Sequence, residues 1–151
     1  MTRRNILLIV VFLLLGSLCA YVYRDRFRSA PIQIGHRSME PRGAMIRRAK
    51  NSNTDVVLFL LNRELKLTSI QVIPVSNIET NKHPQPIWEL VSDSNSVPVK
   101  EFFYGNNIRG MRPAVKGAVA GSLEPDVKYR LYLSAGSHKA EHEFIPQARN
   151  P

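Results

Sequence analysis

The feature that most constrains this chain is an uninterrupted apolar segment close to its beginning. Residues 6–23 carry no charge and are mostly aliphatic. A helix of this length would span about 27 Å, close to the roughly 30 Å hydrocarbon core of a bilayer. Tyr21 and Tyr23 end the segment, where aromatic rings favour the headgroup level. The pattern predicts a transmembrane signal anchor that contacts membrane lipid and follows a short basic tail, residues 1–5.

Three other interpretations of this segment stay open. Small residues at Ser17, Cys19 and Ala20 would suit a cleaved signal peptide, although the apolar run exceeds the usual length of about 7–15 residues. Cys19 would suit a lipoprotein signal, but Leu18 precedes it where a small residue is expected. A buried core helix would need a polar face, and this segment has none.

Basic residues flank the apolar segment on both sides, so the charge pattern indicates its orientation in the membrane only weakly. Arg3 and Arg4 precede it, and Arg24, Arg26 and Arg28 follow it. A simple count of positive charges slightly favours a C-terminal domain on the inside. A short basic tail before a long apolar run nevertheless resembles bacterial signal anchors. We therefore expect a single-pass protein of the bacterial inner membrane with an extracytoplasmic C-terminal domain.

The charge and cysteine content limit the chemistry of the remaining chain. The net charge is +9, and residues 24–54 read as a basic juxtamembrane linker with a possible edge strand at residues 31–34. Aromatic residues that could stack on bases are absent from this linker apart from Phe27, so no nucleic acid partner is expected. The single cysteine, Cys19, lies in the apolar segment, which excludes disulfides and cysteine-based zinc sites from residues 24–151.

From Asp55 onward the pattern changes to short apolar or alternating runs separated by turn residues. Asn62, Arg63 and Glu64 are predicted to form a turn, and residues 76–86 a polar loop. No sustained helical periodicity follows residue 28. The sequence predicts an all-β domain over residues 55–146, an antiparallel sandwich or small barrel, with a flexible C-terminus at residues 147–151. Seven strands are predicted, at residues 56–61, 65–75, 87–91, 97–104, 115–120, 129–133 and 139–144.

One local motif favours a particular sandwich. Leu123, Pro125 and Tyr129 have the spacing Leu-x-Pro-x-x-x-Tyr. This spacing resembles the tyrosine corner of fibronectin type III and immunoglobulin-like domains. The resemblance implies a sandwich of about seven strands, in which the Tyr129 hydroxyl bonds to upstream backbone, Leu123 closes the base and Pro125 fixes the turn. It also implies that Trp88 is buried on a central strand. Residues 56–61 depart from the pattern because they are apolar on both faces, which suggests that one face packs under the N-terminal segment or meets a partner.

Motifs for catalysis and metal binding are missing from the sequence. It contains no nucleophile elbow, phosphate-binding loop, dinucleotide fingerprint or zinc-protease motif. His138 and His142 are four residues apart, but on a strand this places them about 13 Å apart, which argues against a shared metal. No catalytic, cofactor-binding or metal-binding residues are therefore predicted, and no cofactor.

The best candidate contact surface is the loop between Gly105 and Pro113, which offers cations, amides and an exposed methionine. Its contact residues are Asn106, Asn107, Arg109, Met111 and Arg112. Loops at the ends of a sandwich often carry binding functions. The leading interpretation is a membrane-anchored, non-enzymatic binding or assembly module of the cell envelope with a protein partner.

Two other functions remain open. The chain could be a small accessory subunit of a larger membrane complex, contacting it through residues 56–61 and the basic linker. It could also be an enzyme or a metal-binding domain with an unrecognised site, for which the available side chains would be Tyr104, Arg109, Arg112 and His142.

We predict that residues 6–23 keep the mature protein in the membrane, because they form a long segment without charge. Carbonate extraction should leave the protein in the membrane pellet, and its intact mass should include the segment. A soluble product that begins near Tyr21 would contradict this prediction.

Overall fold

The computed structural model describes Asn5 and residues 11–18, 31–41, 54–93 and 96–149. The chain divides into two compact units, Met1–Pro31 and Ile32–Pro151. In the first unit, residues 11–18 are helical. The rest of the predicted anchor at residues 6–23 lies outside the described residues, as do residues 24–30 of the linker. Within the described part of the chain, no helix has the length and apolar character that crossing a bilayer requires.

The second unit is mostly β-structure, as predicted. Among its described residues, a single short helix accompanies eight strands. The strands are β1 (Ile34–Met39), β2 (Val56–Lys66), β3 (Ser69–Pro74), β4 (Trp88–Val91), β5 (Pro98–Phe103), β6 (Arg112–Pro113), β7 (Tyr129–Ala135) and β8 (His138–Phe144), and the helix α1 (Val75–Thr80) follows β3.

The strands form two antiparallel sheets. One has the order β1-β2-β5, and the other has the order β6-β4-β3-β7-β8. The chain crosses from the first sheet to the second at Leu67 and Thr68, between β2 and β3. Leu67 is fully buried there, and the Thr68 N–H donates to the Ser134 carbonyl at 2.8 Å. This short crossing links the two sheets through buried apolar surface and a satisfied backbone group.

Alternating side chains from both sheets build one hydrophobic core. In β2 the buried side chains include Val57, Phe59 and Leu61, and in β7 they are Tyr129, Leu131 and Leu133. Successive residues of a strand point to opposite faces, so one face of each strand is removed from water. Burial of each large apolar side chain stabilises the fold by about 1.5–3 kcal/mol relative to exposure.

The motif that resembles a tyrosine corner has the expected local geometry. Tyr129 is 3% exposed, and its hydroxyl accepts a hydrogen bond from the Glu124 N–H at 3.0 Å. Leu123 is buried in the core, and Pro125 and Asp126 form the turn between them. Asp126 has a φ of 62°, a left-handed conformation that aspartate tolerates better than most residues. The phenol oxygen therefore acts as an acceptor for the backbone of the turn.

Three details of the strand prediction were wrong. The predicted turn at Asn62–Glu64 lies inside β2, because the strand continues past a register irregularity between Leu60 and Leu65, with Asn62 and Glu64 exposed. Residues 115–120 are not a strand, since Gly117 has a φ of 81° and the Ala118 N–H closes a turn onto the Val115 carbonyl at 3.0 Å. The polar loop at residues 76–86 contains most of α1.

The β-structure extends beyond both ends of the predicted domain, residues 55–146. β1 lies within the stretch read as a linker and begins at Ile34, where the suggested edge strand was expected to end. At the other end, the Asp55 N–H donates to the Gln147 carbonyl at 3.1 Å, and Thr54 forms a bridge with Ala148. Residues 147 and 148 are therefore tied to the start of β2.

We predict that Tyr129→Phe lowers the free energy of unfolding by about 1–3 kcal/mol, because it leaves the Glu124 N–H without its acceptor. Tyr132→Phe is the matched control, since it deletes the same hydroxyl from a half-exposed residue on the opposite face of β7. The control should cost about 0.5 kcal/mol or less. Urea unfolding followed by circular dichroism measures both, and equal costs would contradict the role of the corner.

Candidate functional site

A cleft of about 770 Å³ opens where β2 begins and β5 ends. The start of β4 and the long connection between β6 and β7 complete its walls. Clefts of this size, with mostly apolar walls and a few polar groups, are the usual form of ligand sites in proteins. The lining residues are 54–57, 85–90, 103–107, 113, 115 and 117–123.

Two aromatic side chains form one wall of the cleft. The rings of Trp88 and Tyr104 meet edge to face with centroids 5.1 Å apart, a favoured arrangement for aromatic pairs. The Tyr104 hydroxyl donates to the Gly121 carbonyl at 2.8 Å. Burial raises the pKa of Tyr104 far above its ordinary value, and the charge of Tyr129 adds to this effect. Tyr104 is therefore a neutral hydrogen-bond donor that ties one wall to another.

Two glycines hold the opposite wall, residues 117–123, close to the rest of the cleft. Gly105 has a φ of 74°, and a Cβ placed there would lie 3.3 Å from the Cβ of Ala120. The Gly121 N–H donates to the Ile87 carbonyl at 2.8 Å, and a Cβ at Gly121 would lie 3.4 Å from both the carbonyl oxygen and the Cβ of Ile87. Larger residues at these positions would push the wall away from its neighbours.

The charge of the cleft contrasts with that of the chain. The net charge of the chain is +9, yet the described lining residues include no lysine, arginine or histidine. They include two carboxylates, Asp55 and Glu89, and Glu89 accepts a hydrogen bond from Gln71 at 2.6 Å. The Asp55 Oδ1 is buried without a hydrogen-bond partner. The cleft therefore suits a ligand that offers apolar surface and hydrogen-bond donors, and it disfavours an anion.

Exposed apolar residues mark the rim of the cleft. Val115 is 69% exposed and Val119 is 88% exposed, and both lie on the connection that the sequence predicted to be a strand. Apolar side chains that project next to an apolar cleft extend the surface available for a partner.

The structure separates the five residues of the predicted contact loop. Asn106 and Asn107 line the cleft, whereas Arg109, Met111 and Arg112 are not among its lining residues. Buried Ile108 divides the loop at this point.

Beyond Ile108 the loop turns away from the cleft. Arg109 is exposed, and Arg112 forms an ion pair with Asp93 at 3.0 Å. Met111 is half-buried against the core, so the expectation of an exposed methionine was wrong.

Sequence reasoning missed the wall at residues 117–123 and the position of Trp88 and Tyr104 beside it. Trp88 is buried, in agreement with the prediction, but it also lines the cleft. The sequence signal that could have indicated the wall is the pair Gly117 and Gly121, because closely spaced glycines interrupt a strand and permit close approach of backbone.

The comparisons with known proteins add no relatives: no protein-family model matches the chain, and searches of curated proteins and of solved structures found no match. The chemistry of the cleft is therefore the basis for a functional proposal.

Tyr104 should make the fold sensitive to high pH. The pKa of Tyr104 is raised in the folded state, so the neutral phenol stabilises the fold relative to the unfolded chain. This stabilisation is complete below the ordinary tyrosine pKa of about 10 and is lost as the pH rises beyond it. We expect the free energy of unfolding to fall less steeply above pH 10 in Tyr104→Phe than in wild type. At neutral pH the variant should be less stable by about 1 kcal/mol, because it lacks the hydrogen bond to Gly121.

Urea unfolding of the variant and of wild type at a series of alkaline pH values measures this effect. Tyr132→Phe serves as the control because it removes one tyrosine without touching the cleft. An alkaline slope in Tyr104→Phe equal to that of wild type would contradict the assignment.

Proposed function

We propose that this protein is a membrane-anchored, non-enzymatic binding or assembly module of the cell envelope, with the cleft as its contact site. The observation that carries the proposal is the cleft itself, with apolar walls, exposed valines at its rim and no cation among its described lining residues. These features suit an apolar segment of a protein partner, whose backbone N–H groups could reach the oxygen atoms of the lining.

The order of the strands supports an immunoglobulin or fibronectin type III-like sandwich. In the immunoglobulin convention one sheet contains strands A, B and E, and the other contains C, F and G, with C′ added beside C in variable-type domains. If β1, β2 and β5 are A, B and E, then β4-β3-β7-β8 corresponds to C′-C-F-G. The Tyr129 corner lies before β7, which is where strand F begins in this correspondence.

The membrane anchor is supported by the sequence alone. Residues 6–23 are uncharged and long enough to span a bilayer, and basic residues flank them on both sides. In this proposal the segment remains in the bacterial inner membrane and presents the C-terminal domain on the extracytoplasmic side.

The positions of the residues considered for an enzyme favour binding over catalysis. Tyr104 lines the cleft, but Arg112 and His142 lie on β6 and β8 and are not among the lining residues. Arg112 is paired with Asp93, and His142 contacts His36. A catalytic site needs its acid, base or nucleophile within hydrogen-bond reach of one substrate position, and these side chains do not share one.

Site-specific photocrosslinking in native membranes tests the proposal. A photoreactive residue at Val119, on the rim of the cleft, should give a discrete crosslinked product. The product should disappear when Ala118→Trp fills the cleft, because Ala118 is exposed and lines it. Val97 is the matched control, an exposed valine that is not among the lining residues. Equal products from both valines, or a product that Ala118→Trp leaves unchanged, would contradict the cleft as the contact site.

The outer face of β2 favours a second candidate function, an accessory subunit of a larger membrane complex. Leu60 is 40% exposed on this face, and Leu58 pairs with Phe103 beside it. Purification in mild detergent distinguishes between these two candidate functions. A subunit should elute with other proteins in fixed stoichiometry and should lose them on Leu60→Glu, whereas a module should elute alone.

A further inference from the structure

Two histidines from different sheets meet at one edge of the domain. His36 lies on β1 and His142 lies on β8, and the Nδ1 of His36 is 2.8 Å from the Nε2 of His142. Their ring centroids are 5.0 Å apart. No sequence pattern indicates this pair, because the two positions are 106 residues apart.

Apolar side chains surround the pair on the core side, and His36 is exposed to solvent. His36 pairs in register with Phe59, and His142 pairs with Leu131, so both imidazoles lie on the core-facing sides of their strands. The ring of Phe144 is 6.0 Å from that of His36. Neither β2 nor β7 places a charged side chain at these paired positions. The charged neighbours Arg37, Glu141 and Glu143 alternate to the opposite faces of β1 and β8.

The distance between the two nitrogens suits a shared metal ion. Two nitrogen ligands at about 2.0 Å from a metal, at an angle of 90°, lie about 2.8 Å apart. In the metal-free pair this distance is that of a hydrogen bond, in which the N–H of one ring donates to the unprotonated nitrogen of the other. Both could face a metal when each neutral ring carries its proton on the far nitrogen, His36 Nε2 and His142 Nδ1, a tautomer change that releases no proton.

Solvent access to the pair also favours metal binding. His36 is exposed and His142 is half-buried, so an ion can reach the pair from solvent.

We propose that His36 and His142 form a two-histidine site for a divalent transition metal, with Cu²⁺ preferred, that joins the two sheets at the β1–β8 edge. Among the described residues no group of three or more metal-binding side chains exists, so water completes the coordination. Imidazole suits Cu²⁺, Ni²⁺ and Zn²⁺, and Cu²⁺ binds most tightly among them and favours angles near 90°. The site is independent of the proposed function of the cleft.

Thermal unfolding of the full, tag-free chain in detergent gives the first test. Saturating CuCl₂ should raise the Tm by roughly 5 °C or more relative to EDTA, because the ion binds the folded state. His36→Gln and His142→Gln should each abolish the shift. His83→Gln and His138→Gln are the matched controls and should retain it, since neither residue belongs to the pair.

Electron paramagnetic resonance of the wild-type protein with one equivalent of Cu²⁺ gives a second test that does not depend on any variant folding. The spectrum should show coupling to two imidazole nitrogens. An unbound spectrum at neutral pH, or a Tm shift that His138→Gln abolishes as fully as His36→Gln does, would overturn the proposal.

Discussion

The contact on which the rest of the domain depends is made by Phe59 between the two sheets. Its side chain is fully buried in β2. Its ring lies 5.3 Å from that of Phe102 in the same sheet, and it meets Phe144 of the other sheet edge to face at 5.0 Å. Aromatic rings in such arrangements gain energy beyond the burial of their area. The stack of Phe144 on Tyr129, at 5.7 Å, extends the contact to the turn that Tyr129 holds.

The same aromatic packing reaches both candidate sites. Phe102 lies 6.3 Å from Trp88, whose ring contacts Tyr104 in the wall of the cleft. In the other direction, Phe144 contacts His36 of the histidine pair. One side of the cleft therefore packs against the aromatic side chains of the core. The opposite side, residues 117–123, is held by the Tyr104 hydroxyl, which donates to the Gly121 carbonyl, and by burial of Leu123. Backbone hydrogen bonds and close packing at Gly105 and Gly121 add to this support.

The elements that could be predicted from sequence are those set by local patterns. Alternation in β7 placed Tyr129 inside and Tyr132 on the other face, and the spacing of Leu123, Pro125 and Tyr129 indicated the hydrogen-bonded turn. The polar triplet at residues 62–64 misled the prediction, because β2 continues past a register irregularity there with Asn62 and Glu64 exposed. The cleft and the histidine pair could not be predicted, because both depend on which strands become neighbours across the two sheets. Local patterns in a single sequence do not reveal that arrangement.

The most direct test of the cleft as the contact site is hydrogen–deuterium exchange of the full chain, compared between native membrane vesicles and purified protein in detergent. We expect amides of residues 104–107 and 117–121 to exchange more slowly in the native membrane, where the proposed partner would be present. Amides of the β8 edge, residues 138–141, should exchange equally in both. Unchanged exchange at residues 104–107 and 117–121, with protection elsewhere in the domain, would contradict the claim that the cleft is where this protein binds.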